Sequence, residues 1–245
     1  MSPPLALGQA VHEVLESLSI IETQHRFDVP LHERFEQAWQ KVRGEKGGFT
    51  DTHLEDLSIQ KGKEMLERVT KHPGPLTRLA VKINADLPHY WLSEEDGIIL
   101  CGKIDWLEYF PDTNQVHIID FKTGKTEESS DSLQLPIYHL LVHNCQNRVV
   151  SQMSYWYLAK YDHLTPQEIP DLATSHEQIL KIAKQIKLAR QLQRFSCPTD
   201  GCRHCRPLER VIEGSAHFVG NDEYSADVYI LPDGDKAREE ESYIL

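Results

Sequence analysis

Residues 115–125 read QVHIIDFKTGK, and this stretch decides the fold. Val116, Ile118, Ile119 and Phe121 are the apolar residues of a buried strand, but Asp120 and Lys122 interrupt them. Side chains alternate between the two faces of a strand, so an acid and a base two residues apart point the same way. A buried charge is costly unless it is paired or binds an ion. The stretch therefore predicts a core strand whose end carries a polar site.

Upstream, YFPDTNQV offers Pro111, Asp112 and Asn114 as turn residues. A four-residue turn over 111–114 pairs Phe110 with Gln115. The same register sets Asp105 opposite Asp120, ~5 Å apart at Cβ. Like charges opposed in this way are destabilising. A divalent cation between them removes the repulsion, and Mg²⁺ prefers carboxylate oxygens. Alone, Asp-x-Lys at a strand end is usually a solvated pair. The opposed Asp105, Gly102 before it and Thr123–Gly124 after the lysine favour an active site.

The rest of the chain is laid out around this hairpin. Apolar periodicity predicts helices over 5–18, 31–42 and 52–72. HPGP at 72–75 breaks the third. Strands are expected over 78–84, 88–93, 98–110 and 115–122. TGKTEESSD reads as a loop, with Asp131 capping a helix over 132–143. A strand over 151–160 follows. Ser175 and Gln178 form a capping-box pattern that opens a helix to about residue 194. Helices, antiparallel strands, then helix, strand and helix read as α/β with a mixed sheet.

Composition narrows the function classes. In 245 residues, 26% are charged and 40% hydrophobic, which is a globular balance. No apolar run approaches the ~18 residues of a membrane span. MSPPLALGQAVHEV has no basic segment followed by an apolar block, so no signal peptide is read there and a cytoplasmic protein is expected. The formal net charge is −12, from 26 Lys and Arg against 38 Asp and Glu, which argues against a basic nucleic-acid coat. Half of that excess lies between Val219 and Leu245, with eight acids and two bases. Residues 216–245 are accordingly expected to be an acidic tail behind a domain spanning 1–215. Within that domain the central sheet is placed at 75–160, and the last helix and a cysteine cluster at 175–215.

Taken together, GKID, IIDFKTGK and LQLPIY resemble the PD-(D/E)xK nuclease superfamily, and most closely its RecB-like branch. That branch also carries a Gly-x-x-x-His-x-x-Leu helix upstream, here GQAVHEVLE with Gly8, His12, Leu15 and Glu16. The resemblance covers about residues 5–215. It implies a restriction-endonuclease-like core and a metal-dependent DNA nuclease using Mg²⁺ or Mn²⁺. It makes His12, Asp105, Asp120 and the backbone carbonyl of Phe121 metal ligands, and Lys122 the catalytic lysine. Gln134 and Tyr138, one helical turn apart, would line the site. Glu16, one turn on from His12, would either support the site from outside or be simply solvated. An exonuclease acting on single strands or ends in recombination or repair is the expected activity. A restriction-type endonuclease and a non-catalytic DNA- or helicase-binding module are the alternatives.

Two features lie outside that core. Cys197, Cys202 and Cys205 are spaced Cys-x4-Cys-x2-Cys, which suggests a metal or cluster site. The resemblance implies a [4Fe–4S] cluster there. However, the family's last cysteine falls near Val211 and its upstream Cys-Pro segment would precede Leu5, so the cluster is expected to be incomplete. The end of the chain also resembles the C-terminus of UvrD-like helicase–nucleases, which implies a partner or fused helicase. Lys181, Lys184, Lys187, Arg190 and Arg194 form a basic face that either meets phosphates or is simply solvated.

Overall fold

A computed structural model describes residues 1–83, 87–195, 202, 205–222 and 225–231. Helix α1 spans Pro3–Ser17 and buries Ala6, Leu7, Ala10, Val11, Val14 and Leu15 along one stripe. Helices α2 (Leu31–Trp39) and α3 (Thr52–Lys71) pack against it. Asp51 caps α3, accepting the His53 N–H at 2.9 Å. The three helices and the inner residues Trp106, Ile119, Phe121 and Trp156 form one continuous core.

Strands β1 (His89–Ser93) and β2 (Ile98–Cys101) make a separate hairpin. Then come β3 (Trp106–Phe110), β4 (Gln115–Lys122), helix α4 (Gln134–Cys145), β5 (Val149–Tyr157) and β6 (Thr165–Gln167). These four strands form one sheet in the order β3-β4-β5-β6. The β4–β5 pair is parallel, and its neighbours are antiparallel. A parallel pair requires a crossover, and α4 provides it. Leu135 and Val142 of α4 join Val116, Ile118 and Tyr155 in a second core on the opposite face of the sheet. Helix α5 (Leu172–Gln191) closes a third cluster against α4 and the β1–β2 hairpin through Ile179, Leu140 and Leu92. Helix α6 (Cys205–Ile212) and a hairpin of β7 (His217–Asn221) and β8 (Asp227–Ile230) end the described chain. The fold is therefore α/β, a mixed sheet flanked by helices. Among the described residues no helix is long and apolar enough to cross a membrane.

The decisive hairpin has the expected register, with Phe110 opposite Gln115 and Trp106 opposite Ile119. Other expectations change. The strand placed at 98–110 is broken, because β2 pairs with β1 whereas β3 pairs with β4. The chain changes partners across residues 102–105. Gly102 lies at this break, where a Cβ would fall 2.9 Å from Leu141 Cδ1. The segment at 78–83 is an isolated bridge between Ala80 and Glu108 rather than a strand. Asp131 does not cap α4, because its carboxylate accepts from Ser129 Oγ. Asp171, not Ser175, caps α5, accepting from Thr174 N at 2.9 Å and Thr174 Oγ1 at 2.8 Å. Ser175 is buried inside that helix. The expected acidic tail begins with structure, because residues 217–221 and 227–230 pair as β7 and β8. Residues 232–245 lie outside the described residues.

Close helix packing supplies the first prediction. A Cβ on Gly62 of α3 would fall 2.3 Å from Phe35 Cζ of α2. Phe35 is fully buried and cannot swing away. Gly62→Ala should therefore destabilise the protein by about 2 kcal/mol, despite the better helix propensity of Ala. The check is a lower midpoint in urea unfolding with an unchanged slope.

Candidate metal and active site

The site lies where β4 ends beneath α1. Helix α1 presents two stripes. One fills the core, and Gly8, His12 and Glu16 sit at four-residue intervals along the other. Gly8 is where the helix meets the loop after Lys122, since a Cβ there would press within 3.3 Å of Thr123 Oγ1. This brings His12 over the end of β4, with its ring edge-on to Phe121 at 6.1 Å.

Asp105 lies just before β3. Its Oδ2 accepts the Phe121 N–H at 2.8 Å, which fastens the acid to the neighbouring strand end. The same oxygen is 3.4 Å from His12 Nδ1, and Glu16 Oε1 is 3.7 Å from that nitrogen. His12, Glu16 and Asp105 offer ligand atoms that all lie within 4.8 Å of one another. Glu16, expected to support the site from outside or to be solvated, therefore stands among the candidate ligands. Lys103 makes an ion pair with its other oxygen.

Asp120 is adjacent and has no solvent exposure. Gln134 Nε2 donates to its Oδ1 at 2.6 Å. Lys122 Nζ approaches Oδ2 to 2.9 Å, but without the alignment of a hydrogen bond. Lys122 is also 3.0 Å from Glu128 Oε1, donates to Gln134 Oε1, and lies 5.1 Å from the centre of the Tyr155 ring. Gln134 also donates to Tyr138 Oη at 3.3 Å. With its carbonyl toward Lys122 and its amide toward Asp120, Gln134 bridges the two. All the predicted core residues thus converge, namely His12, Asp105, Asp120, Phe121, Lys122, Gln134 and Tyr138.

Glu128 was not foreseen. It lies in the loop after Lys122, where no periodicity marks it. Its place is set by the Tyr157 hydroxyl, which accepts the Glu128 N–H at 3.0 Å.

The electrostatics show a pocket short of positive charge. Burial alone would pull the His12 imidazole down. Hydrogen bonding to Asp105 and Glu16, together with their charge, outweighs this and lifts it to about 10. Burial and the Asp105 charge push the Asp120 carboxyl up, against the pull of Lys122. Lys122 is pulled down by burial but raised overall by Asp120 and Glu128, so it is held as a cation. Burial and the two aspartates raise Tyr138, keeping its hydroxyl neutral.

These residues fit a hard divalent ion. The donors are mostly carboxylate oxygens, with one imidazole, a set suited to Mg²⁺ or Mn²⁺. The buried Asp120 Oδ2 lacks an aligned hydrogen bond, and a cation would satisfy it.

The cysteine cluster is a different case. Cys197 lies outside the described residues. Cys202 Sγ and Cys205 Sγ are 3.7 Å apart. Two thiolates on one tetrahedral ion with ~2.3 Å bonds would sit ~3.8 Å apart. With Cys197 not described, this pair alone does not establish a cluster site. Cys145 Sγ instead lies 3.5 Å from His89 O, at the end of α4. On the basic face of α5, Lys184 is bound to Asp96 Oδ2 at 2.7 Å and Lys187 to the Asp96 carbonyl. Those two lysines secure the β1–β2 turn rather than standing ready for phosphates.

In comparisons with known proteins, the family model of the PD-(D/E)XK nuclease superfamily matches residues 1–208. No curated protein and no solved structure matches the chain.

If His12 is a ligand, His12→Ala should lower Mn²⁺ affinity by about tenfold or more, the scale seen when even the partners of ligands are removed. Helix α1 should remain intact, since Ala favours helix. Titration calorimetry with unchanged circular dichroism is the check, and equal affinity in mutant and parent would remove His12 from the ligand set.

Proposed function

The chain belongs to the PD-(D/E)XK nuclease superfamily, and from that premise we propose that it is a metal-dependent deoxyribonuclease acting on single strands or ends. The observation that carries this reading is the buried Asp120, held between Lys122 and Gln134 beside Asp105 and His12. The order of the motifs along the chain, as in the RecB-like branch, supports a substrate of DNA ends in recombination or repair. The acid excess of the chain suits a nuclease whose grip on DNA comes partly from a helicase partner.

His12, Asp105, Asp120, the Phe121 carbonyl and Glu16 are the residues that would hold Mg²⁺ or Mn²⁺. When bound, such an ion supplies a hydroxide at neutral pH and relieves charge on the phosphate. The protein's own residues do the positioning. The Phe121 N–H fixes Asp105. Gln134 fixes Asp120 and steers Lys122. Lys122, held as a cation by Asp120 and Glu128, is placed to stabilise negative charge developing on the phosphate rather than to take a proton. The Tyr138 hydroxyl, kept neutral, completes the polar wall through Gln134.

Asp120→Ala should abolish Mg²⁺-dependent cleavage of labelled DNA. Lys122→Met should lower the rate by about 10²–10³-fold, as for loss of one electrostatic group, while Mn²⁺ binding persists. Substantial Mg²⁺-dependent cleavage by purified Asp120→Ala protein would defeat the assignment. Linear single-stranded, linear duplex and circular DNA should be tested side by side. Degradation of the linear single strand with the circle spared is the expected result, and cutting of the circle would make the protein an endonuclease.

A further inference from the structure

The Lys122 ammonium is already occupied. A lysine head has three N–H donors and no acceptor. Around this one stand Asp120 Oδ2 at 2.9 Å, Glu128 Oε1 at 3.0 Å and Gln134 Oε1. If the lysine is to stabilise charge on a phosphate, one of these three must give way.

Two of them are fixed. The Asp120 side chain is 1% exposed and is held from Gln134 as well. Gln134 bonds Asp120, Lys122 and Tyr138 at once, so moving it would dismantle the site. Glu128 differs from both. Its side chain is 32% exposed, and it lines a cleft of about 550 Å³ together with Lys122, His12, Gly124 and Gln134. A phosphate entering this cleft meets Lys122 and Glu128 together.

The mounting of Glu128 lets its carboxylate move while its backbone stays. The Glu128 N–H donates to Tyr157 Oη at 3.0 Å. Beside it, Glu127 Oε1 accepts the Tyr161 hydroxyl at 2.7 Å and lies 3.4 Å from Lys160 Nζ. The loop is thereby tied to the end of β5 and the turn after it, and rotation about the Glu128 side-chain bonds is enough to free the lysine. The Ser132 hydroxyl is a second partner for the carboxylate.

Charge favours such an exchange. A carboxylate and a backbone phosphate each carry one negative charge, so replacing one by the other keeps Lys122 matched throughout. Hydrolysis turns the diester into a terminal phosphate of about −1.5 to −2 charge at neutral pH. That product would hold the lysine more tightly than the substrate did. A tethered carboxylate returning to the ammonium opposes this retention.

We propose that Glu128 is a phosphate-exchange residue: it occupies Lys122 in the free protein, yields it to the substrate phosphate, and retakes it as product leaves. The proposal rests on the nuclease reading above and deepens it by naming the residue that sets how tightly phosphate is held.

The test is a double-mutant cycle on the full chain with Glu128→Gln and Lys122→Met. Binding of a fluorescein-labelled single strand is read by anisotropy with Ca²⁺ replacing Mg²⁺, and thymidine 5′-monophosphate, standing for product, competes with it. With Lys122 present, Glu128→Gln should tighten both ligands by roughly five-fold, the upper range for a partly exposed ion pair, with the larger gain for the mononucleotide. In the Lys122→Met background the same substitution should change neither. Glu127→Gln, which removes an equal charge one residue away and leaves Lys122 untouched, should also change neither. Absence of a gain with Lys122 present overturns the proposal. So does an equal gain in Glu127→Gln or in the Lys122→Met background, which would make Glu128 only a repulsive charge. Weaker mononucleotide binding in Glu128→Gln overturns it too, by making Glu128 a residue that orients Lys122 toward phosphate. If the gain depends on Lys122 but the parent cuts no DNA in Mg²⁺, the nuclease reading fails and the exchange stands.

Discussion

A carboxylate without solvent contact at the end of a core strand is the constraint on which this architecture turns. Asp120 is fully buried, with Asp105 beside it raising the cost of its charge. The penalty of burying an ion is several kcal/mol unless partners meet it. Lys122, Gln134 and His12 are such partners, and each comes from a different element or a different point along β4. Their presence still leaves Asp120 Oδ2 without an aligned hydrogen bond. A site that gathers carboxylates around a buried oxygen, faced only by the Lys122 ammonium, has the donor chemistry that suits a divalent cation.

Helix α1 shows how the demand shapes the rest. Its apolar stripe belongs to the same core as Phe121 and Trp156, which sit on the opposite face of the sheet from Asp120. Packing that stripe fixes the rotation of the helix, and the rotation alone carries Gly8, His12 and Glu16 over the strand end. A substitution in the core stripe would therefore shift His12 and Glu16 relative to Asp105 without touching any of the three. The same coupling explains Gly8, which is needed for the approach of Thr123 rather than for any unusual backbone angle.

The hairpin was readable because two rules act locally. Turn residues set the loop length, and period-2 alternation sets the faces, so the register of Phe110 with Gln115 follows from the sequence. Helices with long apolar periodicity, such as α1 and α3, were likewise legible. Change of strand partner was not. Residues 98–110 look like one strand because β-branched, aromatic and other apolar residues recur on both sides of Gly102–Asp105. The break follows from pairings made elsewhere in the chain, β2 with β1 and β3 with β4, and Gly102 at the break also leaves room for Leu141. Glu128 was hidden for a related reason, since its position depends on a tyrosine from β5. Ser175 and Gln178 satisfied a local capping pattern, but Asp171 began the helix one turn earlier and took the free N–H groups first. Glu16 was visible on the helix stripe, and its direct closeness to Asp105 depended on how the helix was tilted.

β4 carries a second buried polar group, and the contrast sets the candidate site apart. His117 contacts Glu108 Oε2 through Nδ1 at 3.0 Å and Ser154 Oγ through Nε2 at 2.8 Å. That order of serine, imidazole and carboxylate is the arrangement of a nucleophilic triad. Yet Ser154 is only 2% exposed and His117 3%, so no substrate reaches the hydroxyl. Glu108 is also matched by Arg78 at 2.6 Å, which completes its charge balance. Both His117 nitrogens and both Glu108 oxygens have partners, so nothing there is left for a ligand to supply. Two residues farther along the strand from Ile118, Asp120 has the opposite character: a second carboxylate, Asp105, opposes its charge, one oxygen has only the Lys122 ammonium near it, and clefts open beside its neighbours His12 and Lys122. Triad-like geometry within a balanced, closed network holds three strands together. An imbalance next to open space is what a reaction can use.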